Sequence, residues 1–189
     1  MTDARAAGEL GRAGGVAGRA LGLLILLGLT WQVMAQGLTF QGGGVLGFVH
    51  GIDLVFHEAG HVIFGFFGEF LAVLGGSLNQ VLIPAIATAA FVRTRQWASA
   101  AVTLFWTGQS LTDVAIYAAD GRAKALPLLA EGLLHDWSYI LGRLGLLGSA
   151  ETVGRLIFGV GALTMLAAVL LLALEVLRRW NAPAGADPV

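Results

Sequence analysis

The stretch 45–67 reads VLGFVHGIDLVFHEAGHVIFGFF and places ionisable side chains inside a long apolar run. It contains three of the chain's four histidines and two of its twelve acidic residues. Charged and imidazole side chains are costly at membrane depth, where they usually mark a functional site. The central motif, His57-Glu58-Ala59-Gly60-His61, is an HExxH pattern, by which one helix offers two zinc ligands and a general base. This stretch therefore predicts a membrane helix that carries a metal site.

The composition of the whole chain agrees with a membrane environment. Of its 189 residues, 57% are hydrophobic and 12% are charged, whereas about 25% of an ordinary soluble domain is charged. The net charge of −1 gives no support to a nucleic-acid partner. The absence of cysteine excludes disulfides and thiolate ligands, so a metal would have to be held by His, Asp, Glu or Asn side chains.

Apolar runs of helical length lie on both sides of the motif. We predict an all-α integral membrane protein, a compact bundle of about four to six transmembrane helices with a re-entrant or broken segment. The predicted helical segments are 21–35, 45–67, 97–119, 136–147 and 153–177. Segment 71–92 is also apolar, but Gly75-Gly76 and Pro84 interrupt it. We therefore predict that this segment is the broken or re-entrant one, which is tolerated beside a polar cavity.

The ends of the chain are polar. We predict a disordered cytoplasmic tail at 1–18, a transmembrane domain at 19–180 and a second disordered tail at 181–189. The first apolar run could instead be the core of a signal peptide, but the long segment before it contains two acidic residues and favours an uncleaved helix. Arg5, Arg12 and Arg19 place the N-terminus in the cytoplasm by the positive-inside rule, with the first helix running outward and the second returning.

The motif predicts a different role for its histidines and for its glutamate. Residues four apart lie on the same helix face, so His57 and His61 can reach one ion. Glu58 lies about 100° further round the helix, where it can stand beside the ion without binding it. Zinc lowers the pKa of a bound water to about 7, and Glu58 would accept the remaining proton and pass it to a leaving amine.

Two residues before the motif share its face. Asp53 lies four positions before His57 and is predicted to accept the second ring N–H of that histidine, which would fix its tautomer. His50 continues the same stripe, either as a polar liner of the site or as a hydrogen-bonding group between helices. Both roles depend on which helices pack against this one.

A catalytic zinc site normally has three protein ligands and one open position. The candidates for the third ligand all lie later in the chain: Asp136, Asp113, His135, Asp120 and Asn79. Asp136 ranks first and Asp113 second. Asn79 and Gln80 follow Gly75-Gly76, and we predict either that they bind substrate backbone or that they satisfy the broken helix itself.

These residues resemble those of the site-2-protease-like (M50-like) intramembrane zinc metalloproteases. The resemblance covers roughly residues 45–140 and is carried by the HEAGH motif in an apolar helix, followed by Gly75-Gly76 and Asn79. It implies zinc bound by His57 and His61, Glu58 as the base, and an aspartate from a later segment as the third ligand. The family's Asn-Pro-rich stretch ending in Leu-Asp-Gly is not found, because Asp120-Gly121 follows an alanine.

Two functions remain open at this point. The first is a zinc endopeptidase of the bacterial inner (cell) membrane that cuts a membrane-protein or peptide substrate within the lipid bilayer. The alternative is a non-proteolytic metal-binding membrane scaffold, or a partner-binding protein, on the same fold. Glu58 favours the enzyme, because a purely structural metal site needs no base. A small transporter is disfavoured by the lack of an internal repeat.

Overall fold

A computed structural model describes residues 2–39, 43–126 and 134–182, and in these ranges the chain is entirely helical with connecting turns. The prediction of an all-α protein is confirmed for them. The six α-helices are α1 (Thr2–Gln36), α2 (Gly44–Phe64), α3 (Glu69–Arg93), α4 (Trp97–Asp120), α5 (Asp136–Arg143) and α6 (Ala150–Asn181). Short 3₁₀ turns at Gly65–Phe67 and Leu147–Ser149 precede α3 and α6.

Three helical segments of the described chain are long and apolar enough to cross a membrane. They are Ala13–Gln36, Glu69–Arg93 and Leu147–Asn181. α2 and α4 carry the polar side chains of the candidate site and fall outside this group. α1 begins at Thr2, so residues 2–18 are helical where the sequence predicts a disordered tail. The predicted tail at 181–189 falls, from residue 183 onward, outside the described residues.

α3 corrects the prediction of a broken or re-entrant segment. It is one continuous helix of 25 residues with Pro84 inside it. Gly75 and Gly76 lie where α3 touches α2: a Cβ atom on Gly75 would be 2.7 Å from the carbonyl oxygen of Gly60. These glycines therefore permit close helix packing, a use of small residues common in membrane bundles, and do not interrupt the helix. The turn before α3 does need glycine, because Gly68 has φ 96°.

The long helices pack antiparallel to their neighbours. Arg19 of α1 approaches Glu175 near the end of α6, and a Cβ atom on Gly22, further along α1, would be 3.8 Å from the side chain of Leu172, which lies earlier in α6. α4 crosses α6 where Gly108 meets Gly161. α3 and α4 are joined by a short turn, and the hydroxyl groups of their threonines at positions 88 and 103 are hydrogen-bonded at 3.0 Å. Two apolar cores fill the spaces between these helices.

This arrangement fixes the course of α2. α1 and α4 both run antiparallel to α6, and α3 runs antiparallel to α4. The C-terminal end of α1 and the N-terminal end of α3 therefore lie toward the same end of the bundle. α2 joins these two ends and therefore passes obliquely across α4. It reaches α4 mainly through side chains, with Asp53 bonding Trp106 and Ser110.

Candidate metal centre

His57 and His61 lie one turn apart on the face of α2 that meets α3. Their ring centroids are 4.9 Å apart. Space for both rings exists because Gly76 of α3 lies directly against them. A Cβ atom at that position would be 2.6 Å from His57 Nε2 and 2.7 Å from His61 Cε1. Gly76 thus makes room for the two imidazoles at the crossing of the two helices.

Hydrogen bonds orient both imidazoles in the same way. Nδ1 of His57 lies 3.2 Å from Oε1 of Gln80, and Nδ1 of His61 lies 2.9 Å from the carbonyl oxygen of Ala72. Both partners are oxygen acceptors, so each Nδ1 must carry the proton and donate it. The Nε2 atom of each neutral ring is then left with a lone pair. A second hydrogen bond of this kind is the usual support of a metal-binding histidine.

Asp136, the first residue of α5, lies against the two histidines. Its Oδ2 atom lies 2.8 Å from His57 Nε2 and 3.4 Å from His61 Nε2. Ligand atoms about 2 Å from one tetrahedral ion are about 3.3 Å from each other, so these separations suit three ligands of a single zinc-sized ion. Asp136 is 6% exposed and His57 is 6% exposed, so little water reaches this contact.

The protonation of these groups supports the same conclusion. Two Nε2 lone pairs and a carboxylate oxygen facing one another would repel unless a proton or a cation lay between them. A single metal ion satisfies all three acceptors at once. The residues present therefore fit a divalent cation.

Glu58 lies beside these three residues. Ligand atoms of His57, Glu58 and His61 all lie within 4.8 Å of one another, and the Glu58 side chain is exposed. Within the described ranges its carboxylate has no hydrogen-bond partner. A carboxylate that is close to the two imidazoles and free to move is placed to accept and return a proton.

The site opens into a cavity of about 440 Å³ between α2, α3 and α4. Its polar walls come from the motif and from residues opposite it, and the rest is apolar. The residues that line it are His50, Leu54, His57, Glu58, His61, Ala72, Val73, Ser77, Gln80, Asp113, Val114, Ile116, Tyr117, Leu126, Leu134 and Asp136. Cavities that bind small ligands have volumes of about 300–1,000 Å³.

Asp136 is positioned by its neighbours in the chain. Trp137, which follows it, is buried in the core between α3, α4 and α5 and donates from its indole nitrogen to Ser77 at 3.1 Å. His135, which precedes it, bonds Asp120 at 3.2 Å and accepts from the backbone nitrogen of Ser138 at 3.3 Å as the cap of α5. These bonds hold the start of α5 against α3 and against the end of α4.

The other predicted site residues lie elsewhere. Asp53 does not contact His57, because its carboxylate accepts from the indole of Trp106 at 2.7 Å and from the hydroxyl of Ser110 at 3.1 Å. The support for His57 comes from Gln80 instead. Asp113, the second-ranked third ligand, is 2.7 Å from Nδ1 of His50. The structure therefore pairs Asp113 with His50 and brings Asp136 to the motif.

The two amides predicted to bind substrate have separate surroundings. Asn79 donates to the carbonyl oxygen of Phe56 at 2.7 Å and so joins α3 to α2. Gln80 lines the cavity but bonds His57. Sequence reasoning missed this role, although Ala72, Gly76 and Gln80 recur at intervals of four and so lie on one helix face. That face is the one turned toward the two histidines.

Comparison of the chain with protein-family models, curated proteins and solved structures gave no match. The likeness to site-2-protease-like enzymes therefore depends on the motif residues alone.

Proposed function

We propose that this chain is an intramembrane zinc metalloprotease that hydrolyses a peptide bond in or near a transmembrane segment of a membrane-protein substrate. One observation carries the proposal. The Oδ2 atom of Asp136 lies within 2.8–3.4 Å of the Nε2 atoms of His57 and His61, with the unbound carboxylate of Glu58 beside them. Two histidines and one carboxylate, with a fourth position left for water or substrate, form a common ligand set of catalytic zinc.

Zinc is the favoured metal for chemical reasons. The donors are two imidazole nitrogens and one carboxylate oxygen, and imidazole suits zinc better than the magnesium or calcium that oxygen-only sites prefer. His57, His61 and Asp136 would hold the ion. When bound, zinc supplies Lewis acidity toward a carbonyl oxygen and toward water.

Glu58 would carry the proton of the reaction. It would accept a proton from the attacking water as the water oxygen bonds to the amide carbon. It would then give this proton to the amide nitrogen as the carbon–nitrogen bond breaks. General acid–base catalysis of this kind contributes about 10²–10⁴-fold to the rate. The exposed position of Glu58, at the mouth of the cavity, leaves it free for both transfers.

The surroundings favour an apolar, extended substrate in the lipid bilayer. Most of the exposed cavity surface is apolar, and aliphatic side chains such as those of Leu54, Val73 and Val114 contribute to it. A peptide bond in a helix is covered by its own backbone hydrogen bonds, so the substrate must be unwound at the site. The cavity is large enough for a short stretch of such a chain.

The proposed location is the bacterial inner membrane, with the N-terminus in the cytoplasm. Arg19 of α1 lies 3.9 Å from Glu175, which also pairs with Arg178 and Arg179 at the end of α6. These arginines therefore lie at one end of the bundle. The positive-inside rule assigns that end to the cytoplasm.

The test compares zinc content and cleavage of a model transmembrane substrate in three purified proteins. The wild type should bind one zinc and cleave. His57→Ala should lose both properties, whereas Glu58→Gln should keep its zinc and lose about 10²–10⁴-fold of the cleavage rate. Stoichiometric zinc in His57→Ala would refute the ligand assignment. Wild-type cleavage by Glu58→Gln would refute the catalytic role and favour a metal-binding scaffold.

The third ligand has its own test. Asp136→Ala should weaken zinc binding by more than about 100-fold, which exceeds the 10–100-fold typical of residues that only support a ligand. Glu58→Gln is the matched control, because it removes a neighbouring charge without removing a proposed ligand. Equal zinc affinity in both variants would contradict the assignment of Asp136.

A further inference from the structure

Tyr117 of α4 faces the catalytic cavity from the side opposite α2. Its ring centroid lies 6.1 Å from that of His57 and 4.3 Å from that of His135. The ring is thus held between the motif and the residue that precedes Asp136. The side chain lines the cavity together with Glu58.

The hydroxyl group of Tyr117 accepts a hydrogen bond but does not use its own hydrogen within the described residues. Its oxygen accepts a hydrogen bond from the backbone nitrogen of Asp136 at 3.3 Å. A phenol also has one hydrogen to donate. Within residues 2–39, 43–126 and 134–182 no acceptor takes that hydrogen. The donor is therefore available one hydrogen bond away from the residue that completes the metal-binding set.

We propose that Tyr117 is a further catalytic residue, which donates a hydrogen bond to the carbonyl oxygen of the scissile amide as this oxygen gains negative charge. The inference rests on the proposed hydrolase function. As the water oxygen bonds to the carbon, the carbonyl π pair moves onto the oxygen and Glu58 takes the water's proton. The pair returns as the carbon–nitrogen bond breaks and the nitrogen takes that proton. Tyr117 keeps its own proton throughout.

Two features make Tyr117 suited to this role. Its oxygen already accepts from Asp136, and accepting a hydrogen bond polarises a hydroxyl and strengthens it as a donor. Its ring is packed against His57 and His135, so it is held in place before the substrate arrives. A donor fixed in advance in a site of low dielectric constant stabilises a developing oxyanion more than a mobile one does.

A purely structural role would give a different result. If Tyr117 only supports the backbone of Asp136, its loss should weaken zinc binding, and binding of a transition-state analogue should weaken only in parallel with it. Tyr139 of α5 provides a matched control. It also has a buried hydroxyl, and it does not line the cavity.

The experiment uses full-length protein with Tyr117→Phe or Tyr139→Phe. It measures zinc affinity, and also the affinity of the zinc-loaded protein for a phosphinic tetrapeptide with leucine side chains, whose tetrahedral anion resembles the transition state. Tyr117→Phe should bind the phosphinic peptide about 100-fold more weakly, as for removal of one oxyanion donor. Its zinc affinity should stay within a few-fold of wild type, and Tyr139→Phe should match wild type in both. Replacing Tyr117 with 3-fluorotyrosine, a stronger donor, should tighten binding of the peptide.

Three outcomes would overturn the assignment, and they are distinguishable. Unchanged affinity of Tyr117→Phe for the phosphinic peptide would remove the role of Tyr117 and leave the hydrolase intact. A parallel loss of zinc and phosphinic peptide would make Tyr117 a support for Asp136 only. Failure of the zinc-loaded wild type to bind the phosphinic peptide would instead remove the proposed hydrolase function, and with it this role.

Discussion

Two helix crossings in this bundle are both packed through close glycine contacts, but different side chains surround them. At the α4–α6 crossing, a Cβ atom on Gly108 would be 2.7 Å from the carbonyl oxygen of Gly161, and the reverse distance is also 2.7 Å. At the α2–α3 crossing, a Cβ atom on Gly75 would be 2.7 Å from the carbonyl oxygen of Gly60. Only the second crossing has ionisable side chains in the space that its glycines leave.

The difference lies in which side chains are next to each glycine contact. Met165 lies beside Gly108, so that crossing is closed by an apolar side chain. His57 and His61 lie beside Gly76, and their donors are satisfied by Gln80 and Ala72. The same close approach that stabilises one helix pair therefore holds the proposed metal ligands in place in the other.

The largest effect is expected from Gly76→Ala. The added Cβ atom would lie 2.6 Å from His57 Nε2, so the ring must move, and a ligand displaced by more than about 0.5 Å leaves its productive geometry. We expect zinc affinity to fall by about 100-fold, measured by competition with a chromophoric chelator. Gly51→Ala is the control, because no atom lies within 4 Å of its added Cβ. Wild-type affinity in Gly76→Ala would mean that the crossing does not hold the ligands.

Gly161→Ala should produce the opposite pattern. The added methyl group would press on the backbone of α4, and overpacking of this kind costs about 1–3 kcal/mol. We expect this loss in the free energy of unfolding, measured in detergent micelles, with zinc affinity within a few-fold of wild type. Gly159→Ala, whose Cβ has no neighbour within 4 Å, should be close to neutral. If Gly161→Ala lost zinc as strongly as Gly76→Ala, both crossings would be needed to hold the zinc ligands, and the distinction between them would be wrong.

A smaller effect separates the two amides of α3. Gln80→Leu removes the acceptor for His57 Nδ1 and should weaken zinc binding by about 10-fold, the lower end for residues that orient a ligand. Asn79→Ala removes only the bond to the carbonyl oxygen of Phe56, and should cost about 0.6 kcal/mol of stability without changing zinc affinity. The same chelator competition and unfolding measurements distinguish them. Equal zinc affinities in the two variants would contradict the orienting role of Gln80.

The sequence was sufficient to place most of the helical segments and the core of the motif, but not the start of α1 or the continuity of α3. Apolar runs gave the helical segments because period and length are local properties. The i, i+4 spacing of His57 and His61 gave their common face for the same reason. Asp136 could be ranked but not located, because it lies 75 positions after His61, and only the packing of Trp137 shows where α5 lies.

The errors had physical causes that a single sequence does not reveal. Glycine in a helix interior either weakens the helix or allows close contact, and only the neighbouring helix decides between these for Gly75-Gly76. Asp53 lies on the predicted face, but a tilted α2 turns it toward Trp106 and Ser110 of α4. The acceptor for His57 came from α3, whose rotation against α2 is set by the glycine contact.

The smallest effect is expected at the contact of α2 with α4, where Asp113→Asn should leave zinc affinity within about three-fold of wild type. Asp113 accepts from His50 Nδ1 at 2.7 Å, and an asparagine oxygen can take the same hydrogen bond. The variant therefore removes a charge from the cavity wall while keeping the contact. A fall of more than about 10-fold, measured by chelator competition, would bring Asp113 into the metal site beside Asp136. Because α2 spans both contacts, such a result would also mean that metal binding depends on its packing against α4 as much as on the glycine crossing with α3.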